Sequence, residues 1–491
     1  MSLNLEKKYQ LFIDGEWVEP SGKDYLETTN PATGEVITEI ANASDADVDL
    51  AVKAAREALE DFGQSTTGER SKLLFKIADI IEENADRLAR IESTENGKPI
   101  RETSAIDLPL AVDHFRYFGS VIRSEEGTVK LLDGRHLSLI IKEPIGVVAQ
   151  IIPWNFPFLM AAWKLAPALA AGDTIVLKPS SKTSLSVLEL VKLIADELPK
   201  GVLNVITGKG SESGDYLQHH EGIDKVAFTG STEVGREIGI AAAKNLIPST
   251  LELGGKSANI IFEDADMDKA LDGAMLGITF NQGQVCSAGS RLFLQESIYD
   301  EFLERLIKIF ENLKIGDPLD ESTEMGTQID EAQIETIMKY VQSAKDEGLT
   351  IVTGGERVEK LKGAFMQPTI IEAEDNKATV CREEIFGPVL VVQKFKDVDE
   401  VIKLANDTNF GLTGGVFTKD INRALKVARS VRTGRMWVNT YNQLPAGAPF
   451  GGFKDSGIGR ENHKMMLDAY TKTKNIFIDL DDELSGFYNI K

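Results

Sequence analysis

The sequence predicts an α/β protein with parallel sheets, and three observations carry that expectation. From about residue 145, short β-type runs alternate with helical ones, the rhythm of βαβ units with helices on both faces of a sheet. The same alternation returns in a second block from Arg291 to about residue 439. Two α/β domains in series fit this better than one very large sheet. The strand-to-helix turns are rich in glycine and small hydroxyl residues.

The elements follow in order. Residues 44–62 read as a helix, with Ser44 and Asp47 in a capping-box pattern and Val48, Val52, Ala55, Leu59 and Phe62 as its apolar stripe. Strands are expected at 147–152, 174–177, 203–207, 225–229 and 257–262, with helices at 184–198 and 232–244 between them. The apolar stretch 147–171 is long enough to raise the membrane question. Asn155, Lys164, Pro153, Pro157 and Pro167 inside it read instead as strand, turn and buried helix. The second block contains a helix at 298–313, strands near 350–352 and 389–395, and a helix near 420–429. Residues 471–480 read as a terminal strand with no local partner, so it must pair with something distant or with another subunit.

Bulk properties narrow the function. The 491 residues allow roughly three domains at about 150 residues each. A hydrophobic content of 42% supports a large core. With 77 acidic against 54 basic residues the net charge is -23, a field that repels nucleic acid. No apolar signal-peptide core follows the first charges, and Cys286 and Cys381 show no disulfide framework, so a reduced, cytoplasmic protein off the membrane is expected. Five histidines without an HExxH pattern give no reason to expect a metal.

Chemistry concentrates in a few segments. Cys286 lies in Phe280-Asn281-Gln282-Gly283-Gln284-Val285-Cys286-Ser287-Ala288-Gly289-Ser290, among glycines and small polar residues with no long apolar run to bury it. Such a thiol can be approached closely, although a lone cysteine is by composition more often a small buried hydrophobe. Leu251-Glu252-Leu253-Gly254-Gly255-Lys256-Ser257 offers a carboxylate on a strand-like stretch, a candidate general base for covalent catalysis. Two turns fit phosphate handling. Gly208-Lys209-Gly210-Ser211-Glu212-Ser213-Gly214 misses the dinucleotide fingerprint by one place, and Phe228-Thr229-Gly230-Ser231-Thr232-Glu233-Val234-Gly235 puts Ser231 at a helix start. Asn155, in Pro153-Trp154-Asn155-Phe156-Pro157, suits an oxyanion donor at a strand end, or a cap for the following helix. Lys178-Pro179-Ser180-Ser181 ends another strand, and Glu383-Glu384-Ile385-Phe386-Gly387-Pro388 is an acidic pair before a tight turn.

PWNFP, KPS, FTGSTEVG, LELGGKS, FNQGQVC, EEIFGP and PFGGFKDSG occur in this order along nearly the whole chain, which thereby closely resembles the aldehyde dehydrogenase superfamily. The resemblance implies a Rossmann-like cofactor domain (1–123 and 144–254), an α/β catalytic domain (255–453), and a small β oligomerisation arm with the C-terminal strand (124–143 and 454–491). It implies Cys286 as nucleophile, Asn155 with the Cys286 backbone N–H as oxyanion donors, Glu252 as activator of water, and Glu461 as a carboxylate passing protons to it. Cofactor contacts are expected from Ile151, Pro153, Trp154, Lys178, Ser181, Gly210, Gly230, Ser231, Leu253, Glu384 and Phe386, with Lys178 and Glu384 at the riboses. Phe156, Met160, Trp163, Val285, Ser287 and Phe450 match a substrate tunnel for an aliphatic or aromatic aldehyde.

Retention of Glu252 implies release of the acid by water, because relatives that pass the acyl group to coenzyme A generally lack that glutamate. NAD or NADP is the implied cofactor. Many NAD-preferring relatives carry Glu where this chain has Ser181, followed by Lys182; NADP is therefore expected to be accepted, even preferred. A homodimer or homotetramer is implied, with a hairpin near 127–142 and the C-terminal strand pairing subunits. Two other readings stand beside this one. A cofactor-independent cysteine hydrolase or acyltransferase would leave Lys178 and the nucleotide-type turns unexplained. A structural or binding protein on the same scaffold would have no need of Cys286, Glu252 and Asn155 together.

Overall fold

Residues 147–252 supply the five parallel strands at the centre of an eight-stranded sheet in a computed structural model that describes residues 3–489. The two outermost residues at each end, which the expected domain ranges included, lie outside the described residues. The parallel strands run in the order Ser249–Glu252, Lys225–Thr229, Val147–Ile151, Thr174–Lys178, Leu203–Val205. They are buried on both faces, which is why they read as short apolar runs without alternation. The chain enters at Val147–Ile151, winds outward through 174–205, then returns to the other side at Lys225–Thr229. The order therefore reverses beside Val147–Ile151, and α/β sheets bind ligands outside the carboxyl ends of their strands at such a point.

Both edges of this sheet are antiparallel and come from distant sequence. Leu11–Ile13 and Glu16–Val18 close one side, and Gly457–Ile458 pairs with Ser249–Glu252 on the other. The N-terminal strands Lys8–Tyr9, Leu11–Ile13, Glu16–Val18, Tyr25–Thr29 and Val36–Ala41 were not foreseen from the sequence.

The second block forms a separate seven-stranded sheet: Thr350–Thr353, Thr369–Glu372, Val389–Phe395, Arg291–Gln295, Ala258–Ile261, Thr413–Phe417 and Arg435–Val438, parallel except for the first. One expectation is corrected here. The strand expected at 257–262 continues the first run in sequence, but Ala258–Ile261 pairs with Arg291–Gln295 and Thr413–Phe417 in the second sheet. The break falls in the Gly254-Gly255 segment, where the chain passes between sheets. At Gly255 a Cβ would come within 2.3 Å of the Cys286 carbonyl oxygen. Glycine here permits the close approach.

Helix ends follow local chemistry. Asp45–Phe62 starts at Ser44, whose backbone N–H and hydroxyl both donate to the Asp47 carboxylate, at 2.8 and 2.9 Å. Pro157–Ala171 opens with proline at its first position, is buried at all 15 residues, and ends on Gly172 at φ 96°. The terminal strand Thr471–Asp479 finds its distant partner within the chain, running antiparallel to His136–Pro144 from Thr471 opposite Pro144 to Asp479 opposite His136. With Thr128–Leu131 these make a three-stranded sheet of their own.

Candidate active site

The carboxyl ends of the first sheet meet segments that lead into strands of the second, enclosing a cavity of about 250 Å³. Its walls come from Pro153 to Phe156 after strand Val147–Ile151, Gly230 and Ser231 after Lys225–Thr229, and Glu252 to Gly254 at the end of Ser249–Glu252. Val285 to Ser287 lead towards Arg291–Gln295, and Glu384 and Phe386 towards Val389–Phe395.

All six expected tunnel residues, Phe156, Met160, Trp163, Val285, Ser287 and Phe450, line this one cavity. Phe156, Met160 and Trp163 arise from the first turns of the buried helix, and Trp163 meets Phe450 edge-on at 5.4 Å between ring centroids. Cys286, Asn155 and Glu252 line it too, as do Pro153, Trp154, Gly230, Ser231, Leu253, Glu384 and Phe386. Ile151, Lys178, Ser181, Gly210 and Glu461 do not. Lys178 is buried with its amine donating to the Gly208 carbonyl at 2.7 Å, and loss of water lowers its pKa to about 8. Gly210 is exposed at the start of the turn Gly210–Gly214.

The thiol is less open than its own segment implies. Cys286 is half-buried, because apolar groups from remote parts of the chain, among them Leu159, Trp163 and Phe450, share its cavity. Burial, then the nearby carboxylates Glu252 and Glu384, push the thiol above its ordinary range, so its resting form is the neutral SH.

Asn155 does not cap the helix that follows it. Its side-chain amide donates to the Gln284 carbonyl at 2.8 Å, binding the loop after Val147–Ile151 to the segment that carries Cys286. An amide nitrogen has two hydrogens, and this bond uses one. Glu252 is buried, and neither carboxylate oxygen has a hydrogen-bond partner among the described residues. Desolvation, reinforced by Glu461, holds its carboxyl well above the usual range, while Lys164 and Arg460 pull it back. Glu461 is itself fully buried, 2.6 Å from the Lys164 amine. A carboxyl whose protonated form burial favours, left without a fixed partner among the described residues, suits proton transfer to and from water.

Ser231 accepts from the Val234 N–H at 3.4 Å and so caps helix Thr232–Lys244. Its hydroxyl hydrogen stays available at that helix start. Trp154 and Phe386 meet edge-on at 5.2 Å. Six further lining residues were not named as site residues from the sequence: Leu159, Thr229, Gly254, Phe280, Asn442 and Leu444. Leu159 shares a helical face with Phe156 and Trp163, a spacing that could have found it. Asn442 and Leu444 sit in an irregular loop after Arg435–Val438 and carry no local signal.

The model of the aldehyde dehydrogenase family matches residues 17–476. Aldehyde dehydrogenase B of Escherichia coli (strain K12) is 49% identical over 496 residues, which cover 99% of this chain and 96% of that protein. Among solved structures, the NAD+ complex of an aldehyde dehydrogenase from Bacillus cereus superposes with a TM-score of 0.95 at 43% identity, covering 98% of each chain. Betaine aldehyde dehydrogenase from Staphylococcus aureus in complex with NAD+ gives a TM-score of 0.97 at 41% identity, over 100% of this chain and 98% of that one. The chain belongs to the aldehyde dehydrogenase family. It is an oxidoreductase acting on aldehydes.

Proposed function

We propose that this protein oxidises an apolar, uncharged aldehyde to the carboxylic acid with NAD+, through a thiohemiacetal and then a thioester on Cys286 that water releases. The observation that carries this reading is the meeting of Cys286, Asn155 and Glu252 in one cavity at the switch point of a parallel sheet.

The residues present fit a dinucleotide. Gly230 and Ser231 bring the start of helix Thr232–Lys244 to the switch point, where an anionic pyrophosphate is favoured. The Thr229 hydroxyl is buried there without a partner among the described residues. Trp154, Ser231, Leu253, Glu384 and Phe386 would hold the cofactor, with Ile151, Pro153, Lys178, Ser181 and Gly210 extending the cleft. When bound, the cofactor supplies the acceptor for a hydride. Cys286 gives its proton to water as its sulfur bonds to the aldehyde carbon, and that carbon then gives up its hydride to leave the thioester. The free hydrogen of the Asn155 amide and the Cys286 backbone N–H hold the oxygen that becomes negative, a donor of this kind contributing about 3 kcal/mol. Glu252 takes a proton from water as that water attacks the thioester carbonyl, and the C–S bond breaks. Glu461 beside Lys164 relays the proton onward. In this division of labour residues 1–123 and 144–254 bind the cofactor, 255–453 carry the nucleophile, and 124–143 with 454–491 form the arm.

Two observations support an uncharged substrate. The walls are aromatic and aliphatic apart from Asn155, Glu252, Cys286, Ser287, Asn442 and a few groups on the cofactor side. Lys98, fully buried and outside the cavity, holds its ammonium 3.8 Å from the Phe156 ring centroid. That cation already draws on the ring's negative face, so the ring has less attraction left for a cationic substrate.

NADP is proposed as a second cofactor, since Ser181 brings no carboxylate to repel a 2′-phosphate. Lys182 lies 2.5 Å from Asp330, so its charge is already matched, which supports acceptance over preference. A homodimer or homotetramer is supported by the exposed Val129, Leu131 and Phe477 on the three-stranded arm.

One assay tests the reading: absorbance at 340 nm with a panel of aldehydes and each nicotinamide cofactor, for wild type and Cys286→Ala. Aliphatic or aromatic aldehydes are expected to reduce NAD with the wild type alone. No cofactor reduction across a broad panel would end the proposal, and NADP without detectable turnover would end that part of it.

A further inference from the structure

Asn281 and Gln282, five and four residues before Cys286, both hold left-handed backbone at φ 44° and 56°. Neither is glycine, and both are fully buried. Such conformations persist only where the surroundings enforce them, and they collect at sites whose geometry matters. Three separate parts of the chain enforce this one. From the helical layer, a Glu102 carboxyl oxygen accepts the Asn281 backbone N–H at 2.9 Å. From the loop after the central strand, the Asn155 carbonyl accepts the Asn281 side-chain amide at 2.7 Å. From residues 327–329, the Thr327 carbonyl accepts the Gln282 side chain at 2.8 Å, and the Ile329 N–H donates to Gln284 at 2.9 Å. The Gln284 carbonyl, two residues before the thiol, receives the amides of both Asn155 and Asn281, at 2.8 and 3.3 Å.

We propose that Glu102 and Asn281 form a positioning clamp that sets the separation between the Cys286 thiol and the Asn155 amide. The proposal rests on the reading of Cys286 as nucleophile and Asn155 as oxyanion donor. Glu102 does not line the cavity and cannot touch the substrate. It acts through Asn281, whose one side-chain amide ties the two halves of the oxyanion site together. Burial pushes the Glu102 carboxyl up to about 8, so at neutral pH it holds the N–H chiefly as a neutral acid. What the clamp needs from Glu102 is an acceptor, which glutamine also supplies.

Two reactions of Cys286 separate positioning from general structural support. With p-nitrophenyl acetate a C–S bond forms, the ester C–O bond breaks, and p-nitrophenolate leaves; the oxygen passes through the oxyanion site. With iodoacetamide the sulfur displaces iodide and makes no use of that site. In full-length protein, Asn281→Gly keeps the left-handed backbone easily but loses the amide on Asn155, and Glu102→Leu loses the acceptor. Both should lower the ratio of acylation to alkylation rates by about tenfold, with kcat for aldehyde falling and KM for NAD unchanged. Glu102→Gln should restore the ratio to within about twofold of wild type. An unchanged ratio in Asn281→Gly overturns the clamp even if Glu102→Leu fails to fold. So does a parallel fall of both rates, which marks collapse of the loop, or a Glu102→Gln ratio as low as that of Glu102→Leu. A nitrophenolate burst that survives Cys286→Ala overturns the nucleophile reading and the clamp with it; loss of that burst, with the ratio unchanged in the clamp variants, overturns the clamp alone.

Discussion

Glu252 stands opposite Gly457 in antiparallel register at the edge of the eight-stranded sheet. Gly457 has φ 141°, and a Cβ on it would lie 2.1 Å from the Leu251 carbonyl oxygen. The strand end that carries the buried carboxylate is therefore held by a residue that only glycine fits. Gly457→Ala should displace Glu252 and slow thioester release by about tenfold or more, while Cys286 still acylates. The check is a burst of NADH followed by slow turnover.

Glu252→Gln tests the same carboxylate directly. It should keep acylation and stall release, leaving a burst of about one equivalent per active site. Unimpaired steady-state turnover would remove Glu252 from the reaction. The same variant removes one of the negative charges that raise the Cys286 thiol. Alkylation of the cofactor-free wild type should still be accelerating above about pH 9. In Glu252→Gln that rise should move to lower pH.

Lys164 and Glu461 form a fully buried pair. Lys164→Met would strand the carboxylate, and a loss of about 3–5 kcal/mol in stability is expected from denaturant titration. Lys164→Met combined with Glu461→Leu should recover much of that loss. Lys164 also lowers the Glu252 pKa, so its removal should shift the pH dependence of release upward.

Glu102 gives a pH dependence of stability whose sign can be worked out. Folded, burial makes it keep its proton up to about pH 8, against the lowering pull of Asn281, Lys98 and Arg101 and with a smaller push from Asp107; unfolded, it ionises above about pH 4.3. Between these values the unfolded chain binds fewer protons, so this group's stabilisation is complete below the lower value and is lost as pH rises, at up to about 1.4 kcal/mol per pH unit. Glu102→Gln removes the dependence. Its denaturation midpoint should gain on wild type from about pH 5 to about pH 8, and a constant difference would refute the assignment.

Sequence legibility followed locality. Lys225–Thr229 and Thr232–Lys244 were readable to the residue because a buried parallel strand and an amphipathic helix each leave a local pattern. Asn155, Glu252 and Cys286, which share one cavity, stand out in the sequence because each sits in a short motif at a strand end or a strained turn. The N-terminal strands were not, since segments of two to six residues take their partners from elsewhere: Phe12 pairs with Val205, for example. The cavity wall at Asn442 and Leu444 comes from a loop placed by packing alone, and the periodicity of 257–262 does not tell which sheet it joins, although the family resemblance put a domain boundary at 254/255. The half-burial of Cys286 was hidden for the same reason, because its own segment is polar and its neighbours are remote.

The pairing of Gly457–Ile458 with the strand of Glu252 also fixes when the protein can first work. During synthesis from the N-terminus, Glu252 and Cys286 emerge long before the residues that close the sheet edge, and Thr471–Asp479 reaches His136–Pro144 later still. Such long-range closures form slowly, so a growing chain carries Cys286 in an unfinished cavity. The cavity is thereby completed by segments made well after Glu252 and Cys286.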